Sequence, residues 1–116
     1  MKIDELRNER RWYHGTTRAK WEKIKQSRFI KPFEADNHEN AVHFTLDKET
    51  AKEYSGRTGR VVSISHRDMM NFKHKIYSSM PRGMRKEYGL TYKEVPYSAD
   101  LMVYEKIPTK YLRLEA

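Results

Sequence analysis

The chain contains no cysteine, which excludes a disulfide framework and any thiolate nucleophile. Aliphatic residues are scarce, and no apolar run is long enough to span a membrane. No signal-peptide pattern opens the chain. There is no internal repeat, low-complexity segment or linker. Acidic residues are also in short supply: 16 Asp and Glu stand against 24 Lys and Arg. These absences leave a cytoplasmic protein with no membrane contact, acting as a monomer, as the expectation.

At 116 residues the chain is read as one domain, 1–116, with a modest core and residues 1–11 as an arm or short helix. With 34% of residues charged, the eight Tyr, four Phe, two Trp and six Met are expected to supply much of that core. The formal net charge of +8 favours an anionic partner such as nucleic acid, a dinucleotide or an acidic protein face. The plainer reading is a solubility charge, since bases and acids are interleaved in most windows.

The stretch Trp12-Tyr13-His14-Gly15-Thr16-Thr17 reads as a short strand that stops at a glycine and turns into a helix. Thr16 or Thr17 can cap that helix, which carries Ala19, Trp21 and Ile24 as a core stripe over 17–27, with Phe29 beyond it. Pro32 prevents continuation, and 34–40 is a polar loop. Residues 41–45 form a second strand. A helix follows from Asp47 to Tyr54, with Gly56 as its stop. Residues 60–65 are a third strand ending at His66.

Residues 66–97 are the least regular. They read as a helical turn over 68–73, a strand edge at Ile76-Tyr77 and a basic loop over 81–89. Leu101-Met102-Val103-Tyr104 is the clearest late strand, Pro108 ends it, and Tyr111-Leu112 with Leu114 forms a last one. Strands and short helices in this order predict an α+β domain with a mixed or antiparallel sheet.

Histidines at 14, 38, 43, 66 and 74 show no i,i+4 pair on a helix and no HExxH, so no metal site is expected. His66 and His74 read as surface or packed residues. Three motifs invite a chemical reading instead: YHGT at 13–16; VHFT at 42–45, followed by Thr50-Ala51 and Tyr54; and D-L-M-V-Y-E from Asp100, followed by Ile107-Pro108 and Lys110-Tyr111-Leu112. Taken alone, His14 reads more readily as a histidine packed and hydrogen-bonded at a strand end.

In that order and spacing the three motifs resemble the ADP-ribosyltransferase superfamily, over about residues 12–114. The similarity is to its diphtheria-toxin-like branch, with the poly(ADP-ribose) polymerases and tRNA 2′-phosphotransferases. The resemblance implies a split, mainly antiparallel sheet with short helices and an NAD cleft. It also implies mono-ADP-ribosyl transfer from NAD to a macromolecular acceptor, protein or nucleic acid, with release of nicotinamide. His14 matches the histidine that bonds a ribose hydroxyl, and Gly15 the glycine that holds the nicotinamide carboxamide. Tyr54 matches the tyrosine that stacks on nicotinamide. Asp100 stands where the polymerases carry their catalytic glutamate. Thr16, His43, Phe44 and Arg57 complete the expected NAD contacts, and no metal is implied. The small size suggests a bacterial or phage effector.

The chemistry accounts for these residue types. Cleaving the nicotinamide–ribose bond leaves positive charge on the ribose, as in glycoside hydrolysis. A carboxylate against the ribose stabilises that charge, and a neutral histidine can donate one hydrogen bond. Asp100 is one methylene shorter than glutamate, and Ala51 replaces the serine that many relatives place three residues before the stacking tyrosine. These departures favour a non-catalytic NAD- or nucleic-acid-binding module. A histidine at position 43 and the net charge favour instead a relative of the RNA 2′-phosphotransferases, although the basic N-terminal domain of those enzymes has no counterpart here. Glu94 and Glu105 are the alternative acids. Glu105 is expected to point away from Asp100 on the same strand.

Overall fold

The aromatic and β-branched residues of YHGT and RVVSIS form the first sheet. In a computed structural model that describes residues 9–32, 41–93 and 100–115, β1 (Arg11–Thr16) pairs antiparallel with β4 (Arg60–Ser65) over its whole length. The far side of β4 takes β9 (Arg113–Leu114), giving the order β1-β4-β9. A second sheet has the order β3-β7-β5-β6, from Val42–Phe44, Leu101–Val103, Ile76–Ser78 and Thr91–Tyr92. Its pairs are antiparallel except β5 with β6. The pair β2 (Phe29–Ile30) and β8 (Ile107–Pro108) stands apart. The chain is thus an α+β domain with mainly antiparallel sheets.

Capping residues set the helices. Thr17 accepts a hydrogen bond from the Lys20 amide at the start of α1 (Arg18–Ser27), and Asp47 from the Glu49 amide at the start of α2 (Lys48–Ser55). Gly56, with φ 73°, closes α2. The end of α1 is less comfortable: Arg28 holds the left-handed conformation, φ 65°, that glycine normally supplies. Then come α3 (His66–Met69), a 3₁₀ turn (Met70–Lys75) and α4 (Arg82–Tyr88).

Gly15 does not end its strand. β1 runs on to Thr16, and Gly15 has no positive φ. Its role is close approach: a Cβ there would lie 1.9 Å from the Ala51 carbonyl oxygen of α2. A Cβ on Gly59 would lie 2.0 Å from the Ser55 carbonyl oxygen. Two glycines therefore let α2 lie directly on the backbone of the first sheet.

One core cluster joins Trp12, Ile64, Met69 and Tyr88 to Phe44, Leu101, Val103 and Ile107. Isoleucine and valine fill more of it than expected, and most tyrosines stay at its margin. Of the expected α1 stripe only Ile24 is buried; Trp21 packs in part, and Phe29 lies under Lys106 Nζ at 4.5 Å.

The remaining differences lie after residue 65. The expected basic loop at 81–89 is helix α4, held to the core because Tyr88 packs edge-on against Trp12 and His66. His66 is buried, with Nδ1 accepting from Trp12 Nε1 at 3.2 Å. β5 lies inside its sheet, Pro108 belongs to a strand of its own, and Tyr111 is in a 3₁₀ turn before β9. The polar loop 34–40 and most of the arm lie outside the described residues, but Arg11 belongs to β1.

Glu115 clamps β9 to the first sheet. It accepts from Ser63 Oγ at 2.6 Å and from Arg113 Nε at 2.8 Å, and lies 3.5 Å from Lys48 Nζ. The Ser63 hydroxyl in turn accepts from Arg11 Nε at 2.6 Å. The Ser63 hydroxyl above all, with help from Arg113, holds the Glu115 carboxyl below its ordinary value.

Candidate active site

The two sheets meet at one residue pair. Tyr13 of β1 and Thr45, just past β3, exchange both backbone hydrogen bonds, at 2.7 and 2.9 Å. His14 follows Tyr13 in β1, Thr45 immediately follows β3 and Asp100 immediately precedes β7, so all three lie at this junction.

His14 is held by one ring nitrogen. Its Nδ1 donates to the His43 carbonyl at 2.7 Å, and its ring lies 5.6 Å from that of Phe44. Burial lowers its pKa, opposed by the bond to the His43 carbonyl and aided by the nearby His43 and Lys20 charges. The neutral ring with hydrogen on Nδ1 leaves Nε2 as an acceptor. What His14 offers a ligand is thus a lone pair rather than the N–H expected from sequence.

Asp100 is likewise held by one atom. Its Oδ2 accepts from Thr45 Oγ1 and from the Leu46 amide, each at 2.9 Å, while its own amide donates to the Phe44 carbonyl at 2.9 Å. Oδ1 takes no hydrogen bond among the described residues. Thr45 Oγ1 also accepts from the Asp47 amide at 3.0 Å, so a single hydroxyl ties Asp100 to the entry of α2. Sequence reasoning missed Thr45 and Leu46. The available signal was the Thr-x-Asp spacing ahead of a helix, which favours this local turn.

The other expected residues are distributed around the junction. Phe44 and Thr16 are buried, with 1% and 4% of their surface exposed, so neither presents a side chain to a ligand here. His43 enters through its carbonyl, and its ring is half-buried. Gly15 carries α2, as above. Tyr54 projects from α2 with 56% of its surface exposed, one residue before Ser55, whose amide nitrogen would lie 3.0 Å from a Cβ on Gly15. Arg57 stands exposed in the turn after α2. Arg60 spends its guanidinium on the Thr58 and Gly59 carbonyls.

Glu105 does not share a strand with Asp100: β7 ends at Val103, and Glu105 lies exposed on the following bend. The argument that it points to the opposite face of that strand therefore fails. Glu94 lies outside the described residues. Among the described residues no group of three His, Asp or Glu side chains is arranged to hold a metal ion, and no helix is long and apolar enough to cross a membrane. In comparisons with known proteins, no family model, no curated protein and no solved structure matches this chain.

Proposed function

We propose that this domain is an NAD-dependent mono-ADP-ribosyltransferase, with His14 and Asp100 at its reacting centre. The observation that carries the reading is the pairing of two polar side chains at one junction. Each is fixed by one heteroatom and has the other unengaged among the described residues. Such anchoring orients a group before substrate arrives, as electrostatic catalysis requires.

In this reading NAD is the substrate. His14 Nε2 accepts a hydrogen bond from a ribose hydroxyl, and Tyr54 gives the nicotinamide an aromatic face. As the bond from C1′ to the nicotinamide nitrogen breaks, its electron pair leaves with nicotinamide, and Asp100 Oδ1 stabilises the cationic ribose. The acceptor then bonds to C1′ and releases its proton. Asparagine at position 100 keeps an oxygen for Thr45 and Leu46 but removes the charge. Asp100→Asn is therefore expected to fold normally, retain NAD affinity and lower turnover by roughly 10²–10³-fold. Release of labelled nicotinamide, measured beside a thermal melt, checks this; unchanged turnover in a folded Asp100→Asn protein would remove Asp100 from the mechanism.

A non-catalytic NAD-binding module is the second reading, favoured by the two structural hydrogen bonds that Asp100 already accepts. It predicts wild-type protein that binds NAD and never consumes it, in lysate or alone.

A further inference from the structure

Two stretches of this chain are strongly basic, residues 18–31 and residues 70–93. Over residues 70–93, Lys73, Lys75, Arg82, Arg85, Lys86 and Lys93 face a single acid, Glu87. This segment builds β5, α4 and β6, the free edge of the second sheet. Register sets one row across this sheet, with Met102 fully buried at its centre and Thr91 exposed at its edge: His43 lies beside Met102, Met102 beside Tyr77, and Tyr77 beside Thr91. Tyr104 joins the same face, its hydroxyl 3.6 Å from Met102 Sδ.

On that face aromatic rings and a cation are already assembled. The Tyr77 and Tyr104 rings meet edge-to-face at 5.5 Å, and Lys93 Nζ lies 4.6 Å from the centre of Tyr104 and 5.5 Å from that of Tyr77. Around the β6 edge a second pair repeats the chemistry: the Arg85 guanidinium lies 4.9 Å from the ring of Tyr92, which is 57% exposed. Rings that stack on bases, alternating with cations that meet phosphates, are the recurring elements of single-strand recognition. A duplex keeps its base faces covered and offers these rings nothing.

We propose that the face formed by Tyr77, Tyr104 and Lys93, continued around the edge by Tyr92 and Arg85, binds single-stranded nucleic acid. Asp100 precedes the strand β7 that Tyr104 follows, about 13 Å along the chain at extended spacing. If the transfer reaction proposed above holds, on which this last step rests, the bound strand is the acceptor.

The test is fluorescence anisotropy with a labelled single-stranded oligonucleotide and its duplex form, in the absence of NAD. The single strand is expected to bind more tightly than the duplex, with affinity falling steeply as salt rises. Lys93→Glu and Tyr92→Ser, both at the surface edge, should each weaken binding by about tenfold, the scale of one base–ring or cation contact. Lys23→Glu on α1 removes the same charge elsewhere and should have a smaller effect than Lys93→Glu. Melting curves confirm that each variant is folded. Failure of the wild type to bind at low salt, equal affinity for duplex, or equal losses from Lys93→Glu and Lys23→Glu would each overturn the proposal. Strand binding by a protein that does not consume NAD would leave this surface standing and remove the enzymatic reading. NAD consumption without strand binding would do the reverse.

Discussion

The corner where α2 lies on β1 and the segment 66–93 are built on opposite plans. Around Gly15 the elements carry local signals: cap residues at Thr17 and Asp47 and a glycine stop at Gly56. In 66–93 the elements are short, and α4 reaches the core through Tyr88, which packs against Trp12 and His66. In the first region backbone meets backbone. The second uses an aromatic hook and keeps most of its cations at the surface.

The largest effect expected from this contrast is at Gly15. Gly15→Ala places a methyl group 1.9 Å from a helix carbonyl, which no rotamer relieves. The loss should exceed about 4 kcal/mol, and circular dichroism should show little folded protein. A folded Gly15→Ala protein of normal stability would mean that α2 is free to lift from the sheet.

Next comes the hook. Tyr88→Ala empties a buried site between Trp12 and His66 and should cost about 3 kcal/mol in a urea titration. A change below about 1 kcal/mol would show that α4 lies outside the cooperative unit, sharpening the division between the regions.

Acid should divide the first region further. His14 has its pKa lowered mainly by burial, so the unfolded state takes up protons first, and the stability it contributes is full above its ordinary value of 6.5 and declines as pH falls below it. Glu115 has its pKa lowered mainly by the Ser63 hydrogen bond, so its contribution is full above 4.5 and declines below that pH. Melting temperature against pH should therefore fall in two steps. His14→Gln should flatten the upper step and Glu115→Gln the lower one. A single step unaffected by His14→Gln would mean that His14 titrates as it does in the unfolded chain.

The smallest effect is a gain. Arg28→Gly relieves a left-handed residue at the end of α1 and should stabilise by up to about 1 kcal/mol, offset by the greater freedom of glycine in the unfolded chain. A clear loss would show that the Arg28 side chain contributes more than its backbone costs.

The same contrast explains what could be read from the sequence. β1, α1, β3, α2 and β4 were legible because caps, the Gly56 stop and short runs of aromatic and β-branched residues signal locally. Helix α4 was not, because Met84 and the basic residues of 82–88 give no apolar stripe, and Tyr88 acts only through residues far away in sequence. The motifs put His14 on β1 and Asp100 at the start of β7, but β1 runs on past His14 to Thr16. The motifs did not reveal the anchors of the two residues: the His43 carbonyl and the Leu46 amide are backbone groups, and side-chain patterns do not register them. The position of Glu105 on the strand was misjudged for want of one boundary, the end of β7 at Val103.

The lone pairing of Tyr13 with Thr45 makes the junction its own reporter. Both amide protons are engaged in that one exchange of hydrogen bonds, and the next residue along, His14, holds the carbonyl of His43. When the sheets part there, both protons become exchangeable with solvent deuterium in one event and at one opening free energy. A ligand gripping both sides would slow the two amides by a common factor, so their matched protection would measure how firmly the junction is closed.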